Sequence, residues 1–206
     1  MPLLMLFLDG LGLGNTDPKV NPLTRAGMLF FRELLGARPL TLDTVGTGIK
    51  SPDIICLPTE TTLQVAGLPQ SATGQTVLFS GVNAAQVAGR HINGFPTKAL
   101  RHILQEHSLF KRLNETGYPA VFANAFTKEY FETTRRGRWR HSVTTTAALA
   151  GECRLLMTED LLKGEAVYQD IINEQLQAKG YNIALTRPED AAANLLRIAV
   201  QNEFTL

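Results

Sequence analysis

Cysteine is scarce in this chain: two in 206 residues, Cys56 and Cys153, far apart and without metal-type spacing. That argues against a disulfide scaffold and fits a reducing cytoplasm. A surplus of either charge is missing too. Twenty basic against nineteen acidic residues leave a net charge of +1, so nothing global points to nucleic acid. No apolar run is long enough to span a bilayer. The opening MPLLMLFLDG has no basic leader and is interrupted at Asp9, so it reads as neither a signal peptide nor a membrane span. Internal repeats and low-complexity segments are absent. The remainder is the composition of a folded chain, 44% hydrophobic and 19% charged. Its length suits one sizeable α/β domain, or a core with a small appendage. The expectation is a cytoplasmic protein with neither a membrane nor a nucleic-acid partner.

Leu3 to Leu8 is a continuous apolar run closed by Asp9-Gly10, the pattern of a strand buried on both faces. LGLGNTDPKVNP reads as loop. Leu23 to Leu35 reads as a helix ended by Gly36 and Pro39. Thr61 to Val65 alternates like a strand, and Thr76 to Ala88 reads as a helix weakened by Gly81. Pro96 to Gly117 carries both helix start and stop signals, and YPAVFANAF follows as a second buried strand. This alternation predicts an α/β fold, a three-layer α/β/α sandwich with a mostly parallel sheet. After Phe126 the chain turns polar, basic and β-branched. Residues 127–187 are therefore expected to form a small cap-like insertion, and 1–126 with 188–206 the core. RPEDAAANLLRIAVQNEF returns to a helix with acidic residues in its first turn.

Two stretches invite a chemical reading. In LDGLGLG the glycines run G-x-G-x-G and a proline-containing loop follows, which is not the dinucleotide fingerprint. Asp9 instead stands at the carboxyl end of a predicted buried strand, where open α/β sheets place ligands and catalytic groups. A carboxylate capping the following turn is the other reading. In GLPQSATGQTVLFSGVNA, Ser71 sits where a loop becomes a helix. A serine hydroxyl is protonated at neutral pH and needs activation before it attacks phosphorus or a carbonyl carbon. QSATG is not the G-x-S-x-G elbow. Coordination to a cation shared with Asp9 remains, with the helix N-terminus holding an anionic substrate. Ser71 as a plain N-cap is the alternative.

FLDGLGLG and LPQSATGQTVLFSGVNA together resemble the alkaline-phosphatase-like metalloenzyme superfamily, in the branch of cofactor-independent phosphoglycerate mutase and phosphopentomutase. GRHINGFPT, from Gly89 to Thr97, resembles family sequence beside the site. The resemblance implies that Asp9 is a metal ligand and that Ser71 is both metal ligand and nucleophile. Gln75 stands where the family often has histidine. It implies two divalent cations, Mn²⁺ or Zn²⁺, and metal-dependent phosphoryl transfer or phosphoester hydrolysis on a phosphorylated small molecule. The family's other Asp and His ligands come from later motifs. Here the histidines are His91, His102, His107 and His141, and no Asp-His-Gly occurs. The expectation is therefore an incomplete alkaline-phosphatase-like core: the N-terminal part of a longer enzyme, or a half-protein that self-associates or needs a C-terminal complementing segment.

Substrate contacts are expected from Thr73, Asn83 and His91, and from Arg136 and Arg138 in RRGRWRH. That run surrounds Trp139 with Arg135, Arg136, Arg138 and Arg140. It is either a solvated basic hairpin or part of a lobe closing over phosphate. HSVTTTAALAG offers hydroxyls to a substrate, or is simply strand. His102 and His107, five apart and off the spacing that would pair them on one helix face, are expected as ordinary surface or boundary residues. A non-catalytic binding or assembly protein on a truncated metalloenzyme fold is the alternative function.

Overall fold

The computed structural model describes residues 3–26, 28–52, 54–137 and 140–201. The chain divides into two compact units, Phe7–Thr61 and Thr62 onward, the latter joined by the residues up to Leu6.

In the first unit, Asn21 opens a 3₁₀ turn over Pro22–Thr24 by accepting the Leu23 N–H. Helix α1 spans Leu29–Leu34. Helix α2 spans Leu42–Val45 and starts at Thr41, whose hydroxyl accepts the Thr44 N–H, the usual task of an N-cap. Strands β1 (Ile49–Lys50) and β2 (Ile55–Cys56) pair antiparallel, Ile49 opposite Cys56 and Lys50 opposite Ile55. Leu35, Leu40 and Val45 form the core, with Leu13, Phe31, Ile49 and Cys56 packed on it.

The second unit is helical. Helix α3 (Ser71–Ser80) ends at Gly81 and α4 (Ala84–Ala88) at Gly89, both glycines left-handed at φ 72 and 67. Such a cap satisfies terminal carbonyls at a conformation that costs glycine nothing. The helix expected over 76–88 is thus two helices. The helix expected over 96–117 is also two: α5 (Lys98–His107), capped by Thr97, and α6 (Leu109–Glu115). Ser108 breaks them apart at ψ 134, and its buried hydroxyl donates to the Ala147 carbonyl at 2.7 Å. Helix α7 covers Lys128–Arg135 and α8 covers Val143–Ala150. Then come α9 (Thr158–Leu162), α10 (Glu174–Ala178) and α11 (Pro188–Gln201). As expected, α11 carries acidic Glu189 and Asp190 in its first turn.

One buried cluster joins α3, α4, α5 and α8 through Ala72, Phe79, Ala84, Leu100, Ile103, Leu104, Val143 and Ala147. A second gathers Ala125, Leu156, Ala166, Tyr168, Leu176 and Ile183. Residues 127–187 lie in this same unit with α3–α6. A row of rings leads outward from the first cluster. Phe79 stacks on Phe110 at 5.9 Å, and Phe122, Phe126 and Tyr130 continue it.

The three-layer α/β/α sandwich with a mostly parallel sheet is not formed. The described residues are mostly helical, and their one regular sheet is the two-stranded β1–β2 pair. YPAVFANAF makes only isolated parallel bridges, Asn124 with Val167 and Phe126 with Met157. Leu3 to Leu8 forms no strand among the described residues, and Leu3, Leu4, Met5, Leu6 and Leu8 are exposed. A run of apolar residues specifies burial but not the neighbour that pairs its backbone, and a sheet requires both. Thr61 to Val65, expected as a strand, turns instead, with Leu63 and Gln64 left-handed at φ 55 and 62. Within HSVTTT, Val143 to Thr146 are helix rather than strand. Ser142 caps it through the Thr145 N–H, and Thr146 returns its hydroxyl to the Ser142 carbonyl at 2.7 Å, which offsets the β-branched penalty.

Candidate functional site

Gln70, in extended backbone, takes the N-cap position of α3 and makes no side-chain cap bond. Ser71 is the first helical residue, and its hydroxyl turns away from its own helix. Oγ donates to Asn93 Oδ1 at 3.1 Å and accepts the Gly94 N–H at 3.1 Å. The side chain is half-buried. An N–H aimed at Oγ stabilises negative charge there, while Asn93 orients the proton.

The stretch from Gly89 to Thr97 straps this helix end. Ile92 directs its carbonyl at the N–H groups of Ala72 (3.0 Å) and Thr73 (3.3 Å). Those donors, expected to hold an anionic substrate, are therefore occupied by backbone. Thr73 is buried; its hydroxyl donates to the Gln70 carbonyl and accepts the Ile92 N–H. Asn83 caps α4 by accepting the Gln86 N–H and donates to the Leu63 carbonyl, both at 3.0 Å. His91 Nε2 lies 3.1 Å from the Val65 carbonyl. Asn83 and His91 thus grip the two ends of one left-handed turn, which would otherwise leave carbonyls unpaired. Asn93 and Gly94 were not anticipated as Ser71's partners; Asn-Gly marks a turn, but not what the turn touches.

Asp9 is an exposed turn residue of the first unit, followed by Gly10 at φ 77. Among the described residues, no group of three His, Cys, Asp or Glu side chains comes together to hold a metal ion. The neighbours of Ser71 Oγ are a carboxamide oxygen and a backbone N–H, and that N–H engages a lone pair a cation would need. The Ser71 surroundings do not fit the dinuclear centre that the resemblance implies, because a tight divalent site requires several anionic or imidazole donors.

Arg136 is exposed and ends α7, its N–H donating to the Glu132 carbonyl. Arg138 and Trp139 lie outside the described residues. Arg135 and Arg140 are exposed, and His102 and His107 are exposed on α5, as expected. Arg140 lines two cavities. One of about 420 Å³ is bounded by Arg101, Gln105, Thr134, His141 and Thr146. The other, of about 280 Å³, lies between α7, the start of α8 and residues 168–179. At its side, Tyr130 Oη and His141 Nδ1 are 3.0 Å apart. Burial pushes the Tyr130 hydroxyl up in pKa and the His141 imidazole down, since both then favour the neutral form. Tyr130 and Lys179 carried no sequence signal of a site, because only folding brings them together.

No helix among the described residues is long and apolar enough to cross a membrane. No protein-family model matches the chain, and no curated protein or solved structure matches it either.

Proposed function

We propose that this chain is the nucleophile-bearing part of a cytoplasmic metal-dependent phosphoryl-transfer or phosphoester-hydrolysing enzyme. The motif pair FLDGLGLG and LPQSATGQT supports that reading. One structural observation carries it: the Ser71 hydroxyl opens α3 without capping it, and is held between Asn93 and Gly94. In this reading Oγ forms a P–O bond as the bond from phosphorus to the ester oxygen breaks, and the serine proton passes to the departing oxygen, leaving a phosphoserine and an alcohol. The Asn93 carboxamide is too weakly basic to remove the hydroxyl proton. In this reading activation is supplied by a complementing segment or chain that brings its own metal ligands to Ser71. The test is turnover of an aryl phosphate with Mn²⁺ or Zn²⁺, with and without such a segment, and mass spectrometry for phosphate on Ser71. Chelator-sensitive turnover lost in Ser71→Ala supports it. Turnover indifferent to Ser71 overturns it.

A second reading, a non-catalytic assembly protein, is favoured by the exposed Leu3, Leu4 and Leu6. Contiguous exposed apolar side chains of this kind mark contact surfaces. An oligomer that Leu4→Lys with Leu6→Lys converts to monomer, without metal uptake, would support it.

A further inference from the structure

We infer that the 280 Å³ cavity between α7, the start of α8 and residues 168–179 is a binding site for a small planar molecule carrying an oxyanion. Its volume lies just under the usual range for ligand pockets and suits one ring with one charged group. Two cationic side chains, Arg140 and Lys179, line it, and no Asp or Glu does so among the described residues. Ion pairs form at Lys128–Glu159, Arg154–Asp160 and Arg187–Asp190, and neither cavity cation is paired with a carboxylate among the described residues. An unneutralised pair of cations around a concave site is an anion receptor.

Lys179 is held in place. Its ammonium donates to Tyr168 Oη at 3.2 Å and lies 5.9 Å from that ring's centroid. The two distances put it beyond the hydroxyl, not over the ring face, so this is a hydrogen bond and not a cation–π contact. Buried Tyr168 therefore anchors the cation at the cavity edge. Ser142 and Thr144 supply neutral donors on the same wall. Their hydroxyls are 2.9 Å apart, and Ser142 Oγ is also 2.9 Å from Thr145 Oγ1. Hydroxyl protons rotate, so this cluster can turn a proton toward an incoming oxygen. Phe122 and Phe126 provide the opposite character, apolar faces on which a flat ring packs. A metal ion is excluded as occupant by the cations, and a purely apolar ligand would leave two charges beside it unanswered.

The inference stands apart from any role for Ser71, which does not line this cavity. It is tested by calorimetric titration of the full chain at low ionic strength with phenyl phosphate, benzoate, inorganic phosphate and phenol. Saturable one-to-one binding of phenyl phosphate or benzoate is expected, at least tenfold tighter than phosphate or phenol. The tighter of the two anions identifies the oxyanion as phosphate or carboxylate. Arg140→Gln and Lys179→Gln should each weaken binding about tenfold, the scale of one charge-assisted hydrogen bond. Both side chains are exposed, so both variants should melt like the parent. Lys98→Gln, an exposed cation elsewhere on the same unit, should bind like the parent. No saturable binding, equal affinity for inorganic phosphate, or equal losses in Lys98→Gln and Lys179→Gln would each overturn the assignment.

Discussion

The Ser71 hydroxyl donates to the Asn93 carboxamide across twenty-two residues of sequence, at 3.1 Å. Together with the Gly94 N–H on Oγ, this bond joins the start of α3 to the 89–97 strap by a side chain rather than by helix capping. Ser71→Ala should therefore lose about 1 kcal/mol of stability, the net worth of a partly exposed hydrogen bond, and remain folded. If Ser71 is the nucleophile, the same variant should abolish phosphoester turnover. Urea denaturation and an aryl-phosphate assay separate the two effects.

Asn83→Ala should cost about 2 kcal/mol, since it removes a helix cap worth about 1 kcal/mol and a second bond to the Leu63 carbonyl. His91→Ala should cost less, having one bond to lose. The structure assigns both to the turn at Leu63 and Gln64, so the measurement to make is urea midpoint against KM. A raised KM with an unchanged midpoint would return them to the substrate-contact role that the sequence suggested.

Acid should reach α9 through Asp160. Its buried carboxylate accepts the Met157 N–H at 2.7 Å and meets Arg154 at 2.5 Å. The Met157 bond first, and then Arg154, hold its pKa below the ordinary carboxylate value. A depressed folded pKa contributes stability above the unfolded value of about 3.9, and that stability is lost as pH falls through the folded value. Asp160→Asn should thus be destabilised at pH 7, and the difference should shrink as pH falls below the ordinary carboxylate value and through the depressed folded one. Denaturation across that range reads the convergence directly.

Gly151→Ala should be among the more damaging small changes. A Cβ there would sit 2.5 Å from Phe110 Cβ and 2.6 Å from the Lys111 nitrogen. The second is backbone of α6 and cannot step aside, so overpacking should cost about 1–3 kcal/mol. A thermal melt within 1–2 °C of the parent, far less than that cost implies, would contradict the close approach of α6 to the end of α8.

Signals that act within one turn of chain could be read without the fold. Thr97 before α5, Pro188 with Glu189 and Asp190 at the start of α11, and glycine punctuation at Gly117 each depend on neighbours a few residues away. Helix capping is such a local bond. Leu3 to Leu8 and YPAVFANAF misled for the opposite reason. Their apolarity is local, but a strand exists only where a second segment accepts its N–H groups, and that segment is chosen by distant parts of the chain. The same limit governs the sites. Ser71 was conspicuous as a loop-to-helix serine. That Asn93 and Gly94 hold its hydroxyl, that Ile92 occupies the helix donors beside it, and that Arg140 and Lys179 share a cavity all required folding. Hydrogen bonds reach about 3 Å and exposed charges are screened within roughly 10 Å, so residues tens of positions apart acquire such partners only when packing of the buried clusters brings their backbones together.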